Sequence, residues 1–303
     1  AYSFANTVAV TGVTVTNNAT NVSMTNAAAG TLTGSGTWTQ GVNGVLNYAG
    51  SSVTVTTFNA SNAGNTVNYN RGGNQTIVNP TGSTYHHLSI SNSGSKVLSS
   101  AATTNGNVLI QNTAVFSVST FNMNVLGNWT NTSTNADPFV QGTATVSFIG
   151  TAAQTITNTG NALGTEFNNV VINNTFGTIP QITTNNNVTV RSTLTMTQGV
   201  INLNSRTLTI GTAAGSPGSL SYAAGWMYGG SLSRYIASGV LSSGAGLFPM
   251  GSMDNYRPFS LTAVGIITGG TITLTHTNAI TVTTVSIIDG TFTIQRRKDA
   301  FWG

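Results

Sequence analysis

The chain has 303 residues, a length that allows one large domain or two ordinary domains with a substantial core. Only 5% of the residues are charged and the net charge is +4, while 39% are hydrophobic and cysteine is absent. This composition excludes disulfides and thiolate metal sites, gives too few clustered bases for a nucleic-acid surface, and argues against disorder because the hydrophobic residues recur at regular spacing. No apolar run approaches the ~18 residues that a membrane-spanning helix needs.

Residues 6–50 alternate between apolar and polar types, beginning with Val8, Val10, Val13 and Val15. Alternation with period two, in short runs bounded by Asn and Gly, is typical of β-strands joined by turns. No stretch has the spacing of three and four residues that marks an amphipathic helix. The start of the chain is therefore predicted to be all-β.

The segment from Thr66 to Gly211 contains nearly the same sequence twice. The second copy follows the first at a nearly constant offset. We interpret residues 66–144 and 145–211 as tandem blocks with a repeat length of about 80 residues. The matched segments are 66–69 with 145–148, 75–77 with 154–156, 85–90 with 167–172, and 103–108 with 183–188.

Each block also has an inner rhythm of apolar residues. Val67, Leu88, Val108, Val125 and Val146 recur with a period of about 20 residues, the step from Val108 to Val125 being the shortest, so a block corresponds to about four short coils. Such a period, with β-forming residues and Asn or Gly turns in every unit, is typical of a β-solenoid. We predict a right-handed parallel β-helix over residues 1–211, because parallel crossover connections are right-handed.

Asparagine-rich stretches fall where each predicted coil must turn, as at Asn105-Gly106-Asn107 and at residues 185–187. Asn and Gly tolerate positive φ, and an Asn side chain can hydrogen-bond to nearby backbone, so these residues suit repeated tight corners. Asn and Thr side chains are also expected to stack as ladders between coils. The predicted role of these residues is structural.

The amino-acid composition changes after Gly211. Residues 212–218 form a breaker-rich segment that we interpret as a linker. Residues 219–303 are rich in aromatic residues, and their alternating strands predict a small antiparallel, β-sandwich-like unit that caps the last coil and protects its edge. Exposed aromatics in this unit, namely Trp226, Tyr228 and Trp302, are the candidate platform for a glycan.

A fixed order of short segments runs through the second half of the chain. It comprises 146–148, 154–156, 167–174, 187–190, 194–196, 199–201 and 207–211, followed by 229–234, 248–251, 255–258, 296–297 and 301–302. This order resembles the Asn/Thr-rich repeat regions of large Bacteroidetes surface proteins, over roughly residues 66–302. The resemblance implies export by the type IX secretion system to the cell surface or medium, with adhesion, gliding or matrix roles and no catalytic residues. Such proteins usually end in a sorting domain, so we expect this chain to be part of a longer one.

Carboxylates are the residues on which an enzyme of this architecture would depend, since glycoside hydrolysis needs two of them about 5 to 10 Å apart. The repeat region contains Asp137 and Glu166, whose separation is not a whole number of coils and therefore predicts that they lie on different faces. Asp254 is expected to form a turn-stabilising ion pair with Arg257. No acidic cluster suitable for Ca²⁺ is apparent. The sequence therefore predicts no catalytic site.

His86 and His87 are the only adjacent histidines. Neighbouring residues on a strand point to opposite faces, so this pair is not expected to hold one metal ion. No zinc spacing, phosphate-binding glycine loop or Ser/His/Asp order is present. We therefore predict neither a metal nor a cofactor.

The function expected from these observations is that of a non-enzymatic extracellular protein, a rigid surface stalk or filament segment that mediates attachment or matrix formation. The expected partners are further copies, neighbouring domains of a longer chain, surface glycans and, during export, the secretion machinery. One alternative is a β-helix protein that binds or degrades polysaccharides. A lesser alternative is an ice-binding solenoid, suggested by Thr-x-Thr pairs beginning at residues 14, 54, 193 and 207, which are expected to lack the regular register that an ice plane needs.

Overall fold

The computed structural model describes residues 1–25, 31–162, 164–242, 244–262, 265–289 and 292–302, with side chains described outside 266–267 and 278–302. These residues are almost entirely β-strand, apart from turns and one short 3-10 segment at Thr81–Ser83. Parallel strands stack into a β-solenoid of about ten turns, about 22 residues apart. The predicted fold class is confirmed. No helix within the described ranges is long and apolar enough to cross a membrane.

One face of the solenoid is an eleven-stranded parallel sheet, here called the first sheet. Every coil contributes one strand to it, so this sheet runs the length of the solenoid. Its strands, in spatial and chain order, are Tyr2–Phe4, Val22–Met24, Val45–Tyr48, Thr66–Tyr69, His87–Ile90, Val108–Ile110, Trp129–Asn131, Gln154–Asn158, Ile182–Thr184, Ile201–Asn202 and Met227–Tyr228.

The remaining faces are divided among three further sheets. The second sheet contains Thr84–Tyr85, Ala102–Thr104, Met123–Val125, Thr145–Phe148, Thr165–Asn173, Val188–Gln198, Thr207–Ile210, Ser219–Tyr222, Ser231–Ile236, Gly270–Asp289 and Phe292–Trp302. The third sheet contains Gln75–Ile77, Ser93–Leu98, Thr113–Ser117 and Phe139–Val140, and the N-terminal sheet contains Val8–Ala9, Thr14–Asn17, Thr31–Gln40 and Ser52–Asn59. Two short antiparallel pairs join Gly239–Val240 to Ile266–Ile267 and Leu247–Phe248 to Phe259–Ser260.

The apolar rhythm of the sequence corresponds to columns of core residues. Val67, Leu88 and Val108 are direct partners in the first sheet, as their spacing predicted. The next member of this column is Trp129, whereas Val125 lies in the second sheet opposite Phe148. The interpretation of Val125 as the next equivalent position was therefore wrong, because the short step from Val108 to Val125 joins two different faces.

A single contiguous hydrophobic core extends from Val10 to Met250. Within it, the ring centroid of Trp129 lies 4.7 Å from that of Phe139, 5.3 Å from that of Phe167 and 6.1 Å from that of Phe116. All four side chains are at most 5% exposed. Each coil buries its apolar side chains only by stacking on its neighbours, as expected of a solenoid.

The two copies of the tandem block do not lie above one another. Thr66–Tyr69 is in the first sheet but Thr145–Phe148 is in the second, and Gln75–Ile77 is in the third sheet but Gln154–Asn158 is in the first. The reason is that the offset between the two copies falls short of four coils of about 22 residues each. The interpretation of a block as a whole number of coils is corrected here, since the repeated segments appear on different faces.

Side-chain ladders between coils form as predicted. On the first sheet, Asn47 and Asn68 are direct partners, and Asn68 Nδ2 donates to Asn47 Oδ1 at 2.9 Å. Asn47 Nδ2 donates in turn to Asn21 Oδ1 at 3.0 Å, and Ser91 Oγ donates to Asn68 Oδ1 at 2.8 Å. The neutral surface therefore links successive coils without any charge.

Polar side chains also occupy buried corners of the solenoid. Gln75 Nε2 donates to the carbonyls of Tyr48 and Gly50 at 2.8 and 3.0 Å. Gln154 Nε2 makes the same kind of paired contact with the carbonyls of Val125 and Gly127. Each glutamine satisfies backbone oxygens of the preceding coil, which explains why the Gln-Thr-Ile segment recurs although it lies in different sheets.

Parallel pairing continues beyond Gly211, which corrects the predicted domain boundary. Ser219–Tyr222, Met227–Tyr228 and Ser231–Ile236 all pair in parallel with strands of the preceding coil. Residues 212–218 are thus a corner loop between two strands of one coil, because a solenoid corner requires the same Gly and Pro residues as an interdomain linker.

The antiparallel unit begins at the outer edge of the last coil. Ser231–Ile236 pairs in antiparallel fashion with the beginning of Gly270–Asp289, so the prediction that this unit covers the last edge is confirmed for this strand. Gly270–Asp289 continues into an antiparallel hairpin with Phe292–Trp302. The described residues thus place one long hairpin and two short strand pairs beyond the solenoid.

Candidate functional site

Of the three predicted platform residues, the structure describes the side chains of Trp226 and Tyr228. Trp226 and Tyr228 flank the fully buried Met227 at the end of the first sheet, and both are half-buried. Trp302 ends the outer strand of the hairpin, and its side chain lies outside the described residues. The structure therefore retains Trp226 and Tyr228 as neighbours and leaves Trp302 on another element.

Trp226 instead belongs to an aromatic cluster with Tyr222 and Tyr256. The Tyr256 ring stacks on Tyr222 at 6.1 Å and lies 6.3 Å from the Trp226 ring. Trp226 Nε1 donates to the carbonyl of Ser252 at 2.8 Å, and Tyr222 Oη donates to that of Gly225 at 2.8 Å. Tyr256 is 40% exposed, so its ring supplies the accessible surface of the cluster. Stacking of a sugar on an exposed aromatic ring is chemically possible at this position.

Two tyrosines at this end of the solenoid, Tyr222 and Tyr228, have a raised pKa. Burial, followed by the hydrogen bond with Tyr256, raises the pKa of Tyr222 well above its ordinary value. Burial and the nearby negative charge of Asp254 raise the pKa of Tyr228. These phenols therefore act as neutral hydrogen-bonding groups.

Asp137 and Glu166 line the same cavity although they belong to different faces, since Asp137 precedes Phe139–Val140 of the third sheet and Glu166 lies in Thr165–Asn173 of the second. The cavity has a volume of about 560 Å³ and also contains Arg191, Gln141 and Asn161. It opens beside Phe139–Val140, the last strand of the third sheet. Residues on two different faces can thus meet at a corner of the solenoid, so a separation that is not a whole number of coils does not keep two side chains apart.

Glu166 is fixed in this cleft by two donors. Its Oε1 atom accepts a hydrogen bond from Gln141 Nε2 at 2.7 Å and pairs with Arg191 Nε at 2.5 Å. The Glu166 and Arg191 side chains are 38% and 52% exposed, so the ion pair contributes only about 0 to 1 kcal/mol to stability. Asp137 is exposed, and its backbone N–H is held by Asn135 Oδ1 at 2.9 Å. The cleft can thus offer carboxylate, amide and guanidinium groups to a polar ligand such as a saccharide.

Sequence reasoning missed Gln141 and Arg191. The cleft could have been predicted from the unusually large number of residues in one coil. Trp129 and Ile156 are direct partners in the first sheet, although they lie farther apart in sequence than the preceding partners Val108 and Trp129. The extra residues enter the loops that surround the cleft.

The two adjacent histidines lie at a corner of the solenoid. The His86 and His87 rings lie 4.4 Å apart, contrary to the prediction of opposite faces, because His86 occupies a corner between two strands. His87 Nδ1 accepts a hydrogen bond from the Asn107 backbone N–H at 2.9 Å, and burial lowers the pKa of both histidines. Among the described residues, no group of three or more His, Cys, Asp or Glu side chains could hold a metal ion.

The predicted ion pair between Asp254 and Arg257 is absent from the described part of the chain. The one ion pair there joins Arg191 to Glu166. Arg257 donates its backbone N–H to Met250 across a tight turn, and its buried Nε atom has no partner. Proximity in sequence suggested contact, but the turn does not bring the two charged groups together.

Threonine pairs are in register over a limited area. Thr14 and Thr16 pair with Thr37 and Thr39, a closer match than the sequence pattern predicted. In the next coil the positions are occupied by Thr57 and Asn59, so the array of paired threonines ends there. This patch is shorter than the regular plane that the ice-binding alternative requires.

Comparisons with protein-family models, with curated proteins and with solved structures gave no match.

Proposed function

We propose that this protein is a non-enzymatic extracellular structural protein, a rigid segment of a surface stalk or filament that mediates attachment or matrix formation. The observation that carries the proposal is the continuous first sheet of eleven parallel strands over one core. With a strand spacing of about 4.8 Å, ten spacings give a rod about 50 Å long. Such a rod resists bending because every coil is packed and hydrogen-bonded to the next.

The surface chemistry supports a location outside the cell. Only 5% of the residues are charged, and ladders such as Asn47 with Asn68 supply neutral contacts between coils. Neutral contacts are insensitive to ionic strength, which suits a protein exposed to a changing medium. The solenoid architecture also suits a spacer, because each coil contacts only its neighbours and further coils add length without a new kind of core.

Neighbouring solenoid coils and surface glycans are the proposed partners. The first coil presents strands that pair on one side only, Tyr2–Phe4, Val8–Ala9 and Thr14–Asn17. Beside them lies an apolar cavity of about 640 Å³ that includes Phe4 and Trp38. Unpaired strand edges next to apolar surface favour stacking of a further coil, from another copy or from a neighbouring part of a longer chain. The exposed ring of Tyr256 is the proposed contact for a glycan.

Electron microscopy tests this function directly. Immunogold labelling of intact producing cells is expected to place the protein on the surface, and secreted material is expected to contain rods or filaments with a longitudinal repeat. Cells that do not produce the chain are the control. Label confined to the cell interior, or compact monodisperse particles without surface attachment, would contradict the proposal.

A second candidate function is the binding or degradation of polysaccharides at the cleft. The observation that favours it is the presence of Asp137, Glu166 and Arg191 around one cavity. The two donors on Glu166 Oε1 make this carboxylate a fixed acceptor for sugar hydroxyls, whereas the exposed Asp137 has the mobility of a loop side chain. Binding is therefore favoured over catalysis at this position.

Turnover assays distinguish the two functions. We expect the purified protein to release no reducing ends or unsaturated products from acidic or neutral polysaccharides, because Glu166 is engaged by Gln141 and Arg191. Asp137→Asn and Glu166→Gln are the matched variants, since each removes one charge and keeps the size of the side chain. Turnover by the unmodified protein that either variant abolishes would establish an enzyme and overturn the structural proposal.

A further inference from the structure

A cavity of about 590 Å³ lies at the C-terminal end of the solenoid, away from the cleft, and Tyr222, which stacks on Tyr256, is part of its lining. It is lined on one side by the strand Ser219–Tyr222 and on the other by residues 236–238, 240–242, 244–245 and 247. Arg234 is the one charged residue in its described lining, and serines 219, 238 and 242 supply hydroxyl groups. The cavity thus combines one cation with neutral hydrogen-bonding groups.

Arg234 occupies a position that belongs to the hydrophobic core in earlier coils. Val190, Ile210 and Arg234 are successive partners in the second sheet, and the first two are at most 1% exposed. Arg234 is 5% exposed, so its guanidinium replaces an aliphatic side chain at the end of the core. A charge in this position must be compensated by its surroundings, because burial of an unpaired ion is costly.

The described contacts of Arg234 compensate its charge only in part. One terminal nitrogen, Nη1, donates to the carbonyl of Leu247, and the guanidinium carbon lies 5.4 Å from the centre of the Phe248 ring. The Nε atom is buried and has no hydrogen-bond partner. Burial lowers the pKa of Arg234 to about 10, which reflects this incomplete compensation, yet the group remains charged at neutral pH. The one ion pair within the described residues is elsewhere, between Glu166 and Arg191.

We propose that this cavity binds a small oxyanion, with Arg234 as the group that recognises it. A guanidinium offers planar pairs of N–H donors that match the oxygens of a carboxylate, sulfate or phosphate group. The anion supplies the missing negative charge and accepts from the guanidinium donors that the protein leaves free. The hydroxyl groups of serines 219, 238 and 242 complete the polar lining. This site is independent of the proposed role as a stalk.

Isothermal titration of the full chain tests the proposal with acetate, glucuronate, phosphate and sulfate at constant ionic strength. We expect saturable binding with a dissociation constant on the order of 1 mM for at least one of these anions. At about ten times that concentration, the midpoint of thermal unfolding should rise by about 2 °C relative to chloride. Preference for acetate and glucuronate would identify a carboxylate ligand, and preference for phosphate and sulfate would identify a tetrahedral ligand.

Arg234→Met is the decisive variant, because it keeps an unbranched side chain in the core column and removes the charge. We expect it to lose the saturable heat and the anion-dependent rise, while Arg206→Met, which changes an exposed arginine, keeps both. Anions that stabilise proteins by exclusion from their surfaces would raise the midpoint equally in all three proteins, and that result would overturn the site. If Arg234→Met does not fold, titration of the unmodified chain remains decisive, since absence of saturable binding for all four anions also overturns it.

Discussion

Replacing Trp129 with alanine is expected to lower the free energy of unfolding by about 3 to 5 kcal/mol. Trp129 is fully buried, and its ring lies within 6.1 Å of the rings of Phe116, Phe139 and Phe167. Because stacked coils cannot close around a lost indole without moving their hydrogen-bonded strands, the substitution leaves a cavity in the aromatic part of the core. Urea unfolding monitored by circular dichroism measures the loss.

Trp129→Phe is the matched control for this prediction. It keeps an aromatic ring in the column and removes the buried Nε1–H group, which has no partner in the structure. We expect a loss below about 1.5 kcal/mol, because the smaller ring leaves a smaller void and no polar group is stranded. A loss from Trp129→Ala as small as that from Trp129→Phe would show that neighbouring coils collapse into the space, contrary to the rigid packing inferred here.

The column of core residues that leads to Trp129 shows how much of the fold could be predicted from the sequence. The regular spacing of Val67, Leu88 and Val108 placed these residues in one column, and the structure confirms that register. Period-two alternation correctly indicated strands, since every second side chain of a solenoid coil faces the core. The next step failed at Val125, because apolar residues line all faces of the coil and the shorter spacing reaches a different face. The spacing of apolar residues therefore predicts the presence of coils more reliably than it predicts the face of the coil on which each residue lies.

The candidate sites were less predictable because they depend on loop lengths. Asp137 and Glu166 meet at one cavity only because the coil between Trp129 and Ile156 is longer than its predecessor. The breaker-rich residues 212–218 have the composition of a linker and the structural role of a corner, since both require residues that interrupt strands. Arg234 illustrates the same limit, because only the register with Ile210 shows that this charged residue occupies a core position.

The second large effect is expected at Lys96, where replacement by methionine should lower the free energy of unfolding by about 3 kcal/mol. Lys96 is fully buried in a column beside Gln75, and its Nζ atom donates to the carbonyls of Arg71, Gly73 and Ser93 at 2.8, 2.7 and 2.6 Å. Burial, with a smaller contribution from the charge of Arg71, lowers the pKa of Lys96 to about 8. At pH 7 the group is therefore still mainly an ammonium, whose three N–H donors match the three oxygens.

Methionine fills similar space but donates no hydrogen bond, so the cost arises from the carbonyls and not from lost volume. The Ser93 oxygen keeps a hydrogen bond from the Gly73 backbone N–H, whereas the oxygens of Arg71 and Gly73 lose the donor that Nζ supplies. Buried acceptors left without a donor cost about 1 to 3 kcal/mol each. Chemical denaturation at pH 7 measures the change.

Lys96→Gln separates hydrogen bonding from charge at this corner. In the neighbouring coil, Gln75 Nε2 donates to the carbonyls of Tyr48 and Gly50 with its amide alone. Because Tyr48 pairs with Tyr69 and Gln75 pairs with Lys96, the Gly50 oxygen corresponds to that of Arg71, so an amide at position 96 can supply a donor to the Arg71 oxygen. We expect Lys96→Gln to recover at least half of the stability that Lys96→Met loses. If both variants lose the same stability, the charge of the ammonium and not its donors holds the corner together. The interpretation that side chains at these corners stabilise the fold by donating hydrogen bonds to backbone carbonyls would then be wrong for Lys96.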